Sequence, residues 1–110
     1  MNPIEEQTLI LSELCNIMRL SISGPYDVLN CYFDYRKSDD GSSSVGAEFW
    51  YEHEGNTVSL PLVYPERKQL TMLVPKLHSM MYSHTGGDWE GFLLSIDRNG
   101  KAKTTFDYRK

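Results

Sequence analysis

The segment from Trp89 to Tyr108 constrains the fold more than any other. Asp97-Arg98-Asn99-Gly100 separates two runs, Trp89 to Ile96 and Lys101 to Tyr108, in which apolar and polar residues alternate. Alternation at a period of two marks a half-buried strand, and Asn-Gly between two such runs is a strong hairpin signal. Phe92, Leu94 and Ile96 are expected to face one way, as are Ala102, Thr104, Phe106 and Tyr108. A hairpin alone is marginal in water, so this one must add to a larger sheet or pack on a helix.

The rest of the chain supplies both. Leu29, Cys31, Phe33 and Tyr35 alternate with Asn30, Tyr32, Asp34 and Arg36, which predicts a strand over Asp27 to Lys37. A second strand is predicted from about Val45 to His53, with Ala47, Phe49 and Tyr51 on one face and Glu48, Trp50 and Glu52 on the other. Glu54-Gly55-Asn56 reads as a turn, and a third strand should cover Thr57 to about Leu60, before Pro61 and Pro65. Ser38-Asp39-Asp40-Gly41-Ser42-Ser43-Ser44 reads as a mobile polar loop.

Two stretches have helical spacing instead. The first opens on Asn2-Pro3-Ile4-Glu5, with Asn2 as a cap and Pro3 as the first helical residue. Its apolar side carries Ile4, Leu11, Leu14, Cys15, Met18 and Ile22, widened by Ile10 and Ile17, and Ser23-Gly24-Pro25 closes it. In the second, Leu70, Leu73, Val74, Leu77, Met80, Met81 and His84 repeat at three and four, with Pro75 inside the pattern. A proline there costs about 3 kcal/mol. The unbroken period favours a kinked helix from Glu66 to Ser83 over one starting near Pro75, with Gly86-Gly87 as its end.

The order is therefore α-β-β-β-α-β-β, an α+β domain with an antiparallel sheet of about five strands and two helices on one face. At 110 residues the chain is sized for a single domain, 1–110. The other face should carry Tyr32, Asp34, Glu48, Trp50, Glu52, Lys103, Thr105 and Asp107. An echo links two strands: Phe33-Asp34-Tyr35-Arg36-Lys37 recurs as Phe106-Asp107-Tyr108-Arg109-Lys110. The flanks differ, so convergence on a good strand sequence explains it better than duplication.

Charge and composition narrow the function. The net charge is −4 and the basic residues are scattered, which disfavours direct nucleic-acid binding. A mild acidic excess suits basic partners, though many soluble proteins share it. Cys15 and Cys31 both fall on apolar sides and read as buried free thiols, with a bridge left open. No membrane span is expected, and Met1 is followed by Asn2-Pro3 and Glu5-Glu6 rather than by a leader pattern, so the cytoplasm is the expected location.

Chemical motifs are scarce. His78 and His84 are badly spaced for one helical face, His53 reads as a solvated turn residue, and no cysteine pair is near, so no metal is expected. Ser42 to Ser44 lack the frame of a nucleophile elbow, and Cys15 has no activating base. Glu48 and Glu52, with Asp34 adjacent, are the one arrangement that could serve as an acid–base pair; a solvated sheet face is the commoner explanation. No cofactor and no enzymatic activity are expected. Glu48, Trp50 and Glu52, with Tyr32 and Asp34 on the next strand, instead suit a protein–protein interface: aromatic anchors ringed by charge. A third layer or a homodimer covering this face would explain the same residues.

Trp89-Glu90-Gly91-Phe92, Leu94-Ser95-Ile96-Asp97, Gly100-Lys101-Ala102-Lys103 and Phe106-Asp107-Tyr108 together resemble the end of the YezG-like immunity proteins. The resemblance covers roughly the last quarter of the chain, and the element order agrees loosely throughout. The chain departs from the family in Pro75 and in the serine-rich loop. The resemblance implies an antidote to a polymorphic or contact-dependent growth-inhibition toxin, often a nuclease, that works by binding over the toxin's active site. It would need no catalytic residue, no metal and no membrane. The expected toxin contacts are Tyr32, Asp34, Asp39, Asp40, Glu48, Trp50 and Glu52. Trp89, Phe106 and Tyr108 read as structural, because parity places most of them in the core. The alternative is a small hydrolase or ligand-binding protein using the acidic sheet face.

Overall fold

The computed structural model describes residues 3–108. It has α1 (Pro3–Leu20), β1 (Val28–Lys37), β2 (Ser43–His53), β3 (Asn56–Ser59), a 3-10 turn (Glu66–Gln69) running into α2 (Leu70–Thr85), β4 (Trp89–Asp97) and β5 (Ala102–Tyr108). The strands form one antiparallel sheet in the order β3-β2-β1-β4-β5, with β1 at its centre. This is the α+β class and the element order expected from the alternation and helical spacing.

Helix α1 begins at Pro3, and its predicted cap, Asn2, lies outside the described residues. Ile10, Leu14, Cys15, Ile17 and Met18 are buried, whereas Ile4 is exposed, so the apolar stripe engages the core only from Ile10 onward. Helix α2 runs through Pro75, the alternative the unbroken period favours, but its expected first residues, Glu66–Gln69, form a 3-10 turn. Proline has no N–H, so the carbonyl of Thr71 loses its usual helical donor there. Gly86 ends α2 in the left-handed region, its N–H donating to the Tyr82 carbonyl at 2.8 Å.

The helices pack on each other and on the sheet through β1, α2 also reaching β2. The buried residues form one cluster, into which the sheet sends Leu29, Cys31, Phe33, Tyr35, Phe49, Phe92, Leu94 and Ile96. Each large apolar side chain buried this way contributes about 1.5–3 kcal/mol. Cys15 and Cys31 are free and buried, and burial pushes both thiols up from their ordinary range.

Strand pairing sets three phenylalanines in a row across the core face: Phe33 opposes Phe92, which opposes Phe106. Their ring centroids are 5.0 and 5.1 Å apart. Trp89 joins them although simple alternation would turn it away from Phe92. An irregularity between Trp89 and Gly91 shifts the register, so the indole reaches the core face and is fully buried. A bulge adds one residue and thereby reverses parity.

Three expectations need correction. Tyr108, assigned to the core by parity, is 53% exposed, and Ala102 on the same strand is exposed as well; of that face of β5, only Phe106 and Thr104 are half-buried. β5 is the sheet's edge, and the helices make their main sheet contacts with β1 and β2. The serine-rich segment is not a seven-residue loop: Ser43 and Ser44 already pair in β2, and Ser38 to Ser42 is closed by Ser38 N–H to the Ser42 carbonyl at 2.8 Å. Asp40 Oδ1 accepts from the Ser42 N–H and hydroxyl, and these hydrogen bonds hold its carboxyl below the usual range. His53 is a half-buried strand residue rather than a solvated turn residue.

Candidate functional site

With both helices on one side, the second face of the sheet is open. The register assembles it in rows. Glu48, Tyr32, Leu93 and Thr105 lie side by side across β2, β1, β4 and β5. The next row toward the β2–β3 turn is Ser59, Trp50, Asn30, Ser95 and Lys103, and Glu52 follows beside Val28. In the opposite direction come Gly46, Asp34, Gly91 and Asp107. The sheet thus gathers Tyr32, Asp34, Glu48, Trp50 and Glu52 on one face, as their parity required.

Asp39 and Asp40 do not join them. β4 stops pairing with β1 at Asp34, while the β1–β2 hairpin continues through Lys37 and Ser43 before its turn. At about 3.4 Å per residue, the last pair of the hairpin stands roughly 10 Å beyond the Asp34 row, and the turn with Asp39 and Asp40 lies farther still.

The centre of the face is tightly organised. Asn30 is buried; its Oδ1 accepts from the Ser95 hydroxyl at 2.8 Å, and its Nδ2 donates to Glu52 Oε2 at 3.5 Å. Trp50 beside it and Leu93 in the next row are half-buried, so each still offers apolar surface. At the Glu52 end, Asp27 accepts from Arg98 at 2.8 Å and from the Glu54 N–H at 2.9 Å, tying two turns together.

Tyr32 crosses β4 to reach β5. Its hydroxyl donates to Asp107 Oδ2 at 2.8 Å. It can do so because the residue beneath is Gly91: a Cβ there would collide with the Tyr32 phenol and lie 2.8 Å from the Phe33 carbonyl oxygen. The two aspartates of the repeated Phe-Asp-Tyr motif, Asp34 and Asp107, flank Gly91 from either side. Gly91→Ala should therefore dislodge Tyr32 and lower stability by about 1–3 kcal/mol, the usual range for overpacking, measured by urea denaturation. A change below the error of that measurement would mean the phenol is not held there.

Burial, the hydrogen bond to Asp107, and the charges of Asp107, Glu90 and Asp34 push the Tyr32 phenol up to about 12. The folded state then keeps a proton that the unfolded chain releases near pH 10, so this stabilisation is complete below about pH 10 and is lost as pH rises through about 12. Tyr32→Phe should flatten that part of the alkaline decline, read as the difference in urea midpoint between wild type and variant across this window. Equal slopes for the two proteins would refute the assignment.

Parity pointed to five of the seven expected contacts. It also contained Leu93 and Asn30, which sit between core-facing neighbours on their strands. Glu90 could not be read this way, because it lies within the irregularity between Trp89 and Gly91.

A second cleft, of about 370 Å³, lies on the helical side between Lys37, Tyr82, Ser83 and Asp88. Its floor is His78, whose Nε2 is 2.9 Å from Asp88 Oδ1. The imidazole is buried among Tyr35, Tyr82 and Trp89, with ring centroids 4.9, 6.1 and 4.9 Å away. Among the described residues, Nδ1 has no hydrogen-bond partner. The pair ties the middle of α2 to the residue just before β4. Among the described residues, no three His, Cys, Asp or Glu side chains converge to hold a metal ion, and no helix is long and apolar enough to cross a membrane.

In comparisons with known proteins, no family model matches the chain and no curated protein matches it.

Proposed function

We propose that this chain is an immunity protein that binds a bacterial toxin, a nuclease by preference, and occludes its active site. The reading joins the resemblance in the last quarter of the chain to one observation: the open sheet face carries half-buried Trp50, Leu93 and Tyr32 among Asp34, Glu48, Glu52 and Asp107. Half-exposed aromatics at the centre of a patch supply binding energy, and surrounding charge supplies speed and selectivity. A nuclease cleft is basic because it must hold phosphates, so an acidic face steers toward it. Glu90, close enough to Tyr32 to act on its phenol, extends the acidic set beyond the residues that strand parity placed on this face, Asp107 among them.

The role is non-catalytic and belongs in the cytoplasm, where a delivered nuclease meets its substrate. The alternative, a hydrolase using the same carboxylates, would need Glu48 and Glu52 to share a cleft. The cleft of about 410 Å³ beside Glu48 and Trp50 runs along the free edge of β2 to Ser59 and Leu60, and Glu52 does not line it.

Co-expression with the protein encoded immediately upstream tests the proposal. A stable stoichiometric complex, together with rescue of growth from that protein's toxicity, is the expected result. Absence of both complex and rescue would overturn it.

A further inference from the structure

β2 spans Ser43–His53, but β3 pairs only with Trp50 to His53. One more bond, from the Leu60 N–H to the Phe49 carbonyl at 3.2 Å, covers the edge before Pro61 turns the chain away. Residues 43–48 pair with β1 alone. In an antiparallel ladder, alternate residues direct their N–H and C=O to opposite neighbours. Phe49 directs its carbonyl outward to Leu60, so Val45 and Ala47 direct both of their backbone polar groups outward as well. Among the described residues these groups have no backbone partner.

Natural edge strands are usually blocked by lysine, proline, a bulge or a covering loop. Ser43-Ser44-Val45-Gly46-Ala47 contains no charge and no proline, and its pairing with β1 is regular. Clefts flank the edge on both faces. One of about 240 Å³ lies on the helical side, where Pro61, Leu62 and Leu70, with Arg67 and Thr71, face Val45 and Ala47. The other is the cleft beside Glu48 and Trp50.

We propose that this edge pairs antiparallel with the same edge of a second copy, about a two-fold axis at Gly46. Val45 of each copy then opposes Ala47 of the other, and the outward N–H and C=O groups of both residues are satisfied reciprocally. The free stretch ends at Phe49, where Leu60 occupies the edge, so Ser44 to Glu48 fits opposite Glu48 to Ser44: slot and insert have the same length. Glu48 falls opposite Ser44, never opposite its own copy, so no like charges meet. Val45 and Ala47 from both copies line a shared seam beside Leu62 and Leu70. The sheets join edge to edge, and the open faces lie on the same side of the joined sheet.

Sedimentation equilibrium of the full chain over roughly 10 µM to 1 mM reads this directly, with a dissociation constant on the order of 100 µM expected for so short an interface. Ala47→Pro removes an outward N–H without touching the β1 ladder, and Ala47→Lys installs the charge that edges normally carry. Each should weaken the dimer at least about tenfold while the far-ultraviolet spectrum and melting remain those of the wild type. If Ala47→Pro fails to fold, Ala47→Lys and amide exchange of the wild type carry the test: exchange at Val45 and Ala47 should slow as concentration rises, while exchange at exposed Thr57 does not. A monomer throughout this range, or a dimer indifferent to Ala47→Lys, would overturn the proposal.

Discussion

Replacing Trp89 with alanine should cost the fold about 3–5 kcal/mol, the range for emptying a buried tryptophan site. The side chain is fully buried, and its ring packs against His78, Phe92, Phe106 and Tyr35 at centroid distances of 4.9, 5.2, 5.5 and 6.2 Å. It is where α2, β1, β4 and β5 meet. Domains of this size are stable by only about 5–15 kcal/mol, so the variant should melt far below the wild type or populate the unfolded state outright. Trp89→Phe is the informative partner. The indole Nε1 is buried and has no hydrogen-bond partner among the described residues, a state that costs about 1–3 kcal/mol. Phenylalanine loses volume but also removes that donor, so it should recover most of the stability lost in Trp89→Ala. Urea midpoints of the three proteins decide it. A loss under about 1 kcal/mol in Trp89→Ala would show that the core closes without this residue.

The second large effect is expected in toxin capture, and it rests on the proposed antidote role. Trp50→Ala should weaken the complex by about 30-fold or more, the loss that marks a hot-spot aromatic. Glu48→Lys combined with Glu52→Lys should act differently. Both carboxylates are exposed, but Glu52 also accepts from the buried Asn30 amide, so the double variant should lose up to about 1–3 kcal/mol of stability while Glu48→Lys alone leaves folding unchanged within about 0.5 kcal/mol. Their reversal should slow association, and the defect should be greatest at low salt, where unscreened charge steers encounter. Association and dissociation rates measured by surface plasmon resonance at two ionic strengths separate the two mechanisms. Unchanged affinity in both variants would move the interface off this sheet face, with the β1–β2 hairpin tip and its Asp39 and Asp40 as the next surface to map.

Much of this site was readable without coordinates because strand parity is a local property. Tyr32, Asp34, Glu48, Trp50 and Glu52 share a face since successive side chains of a strand alternate and β1 and β2 are joined by a short hairpin. The same rule assigned Phe92, Leu94 and Ile96 to the core. It failed at both ends of the tail. Trp89 is buried against parity because the register shifts between Trp89 and Gly91, and Tyr108 is exposed in spite of parity because it lies on the outermost strand. Facing the covered side of a sheet buries a residue only where something covers it.

By itself, then, the sequence determined the element types, their order and the inward and outward side of nearly every strand residue. These follow from periodicity over a few residues, and solvent imposes them wherever one face of an element is buried. Only the tertiary structure decided which strands became neighbours. β4 pairs with β1 across fifty-odd residues of intervening chain, and that docking sets Asp34 and Asp107 on either side of Gly91 and lets Tyr32 reach across it. It also left part of β2 uncovered, because β3 is short and the chain turns away at Pro61. Such pairings are chosen by the summed packing of distant segments against the entropy of closing long loops, and no local window of residues contains that balance.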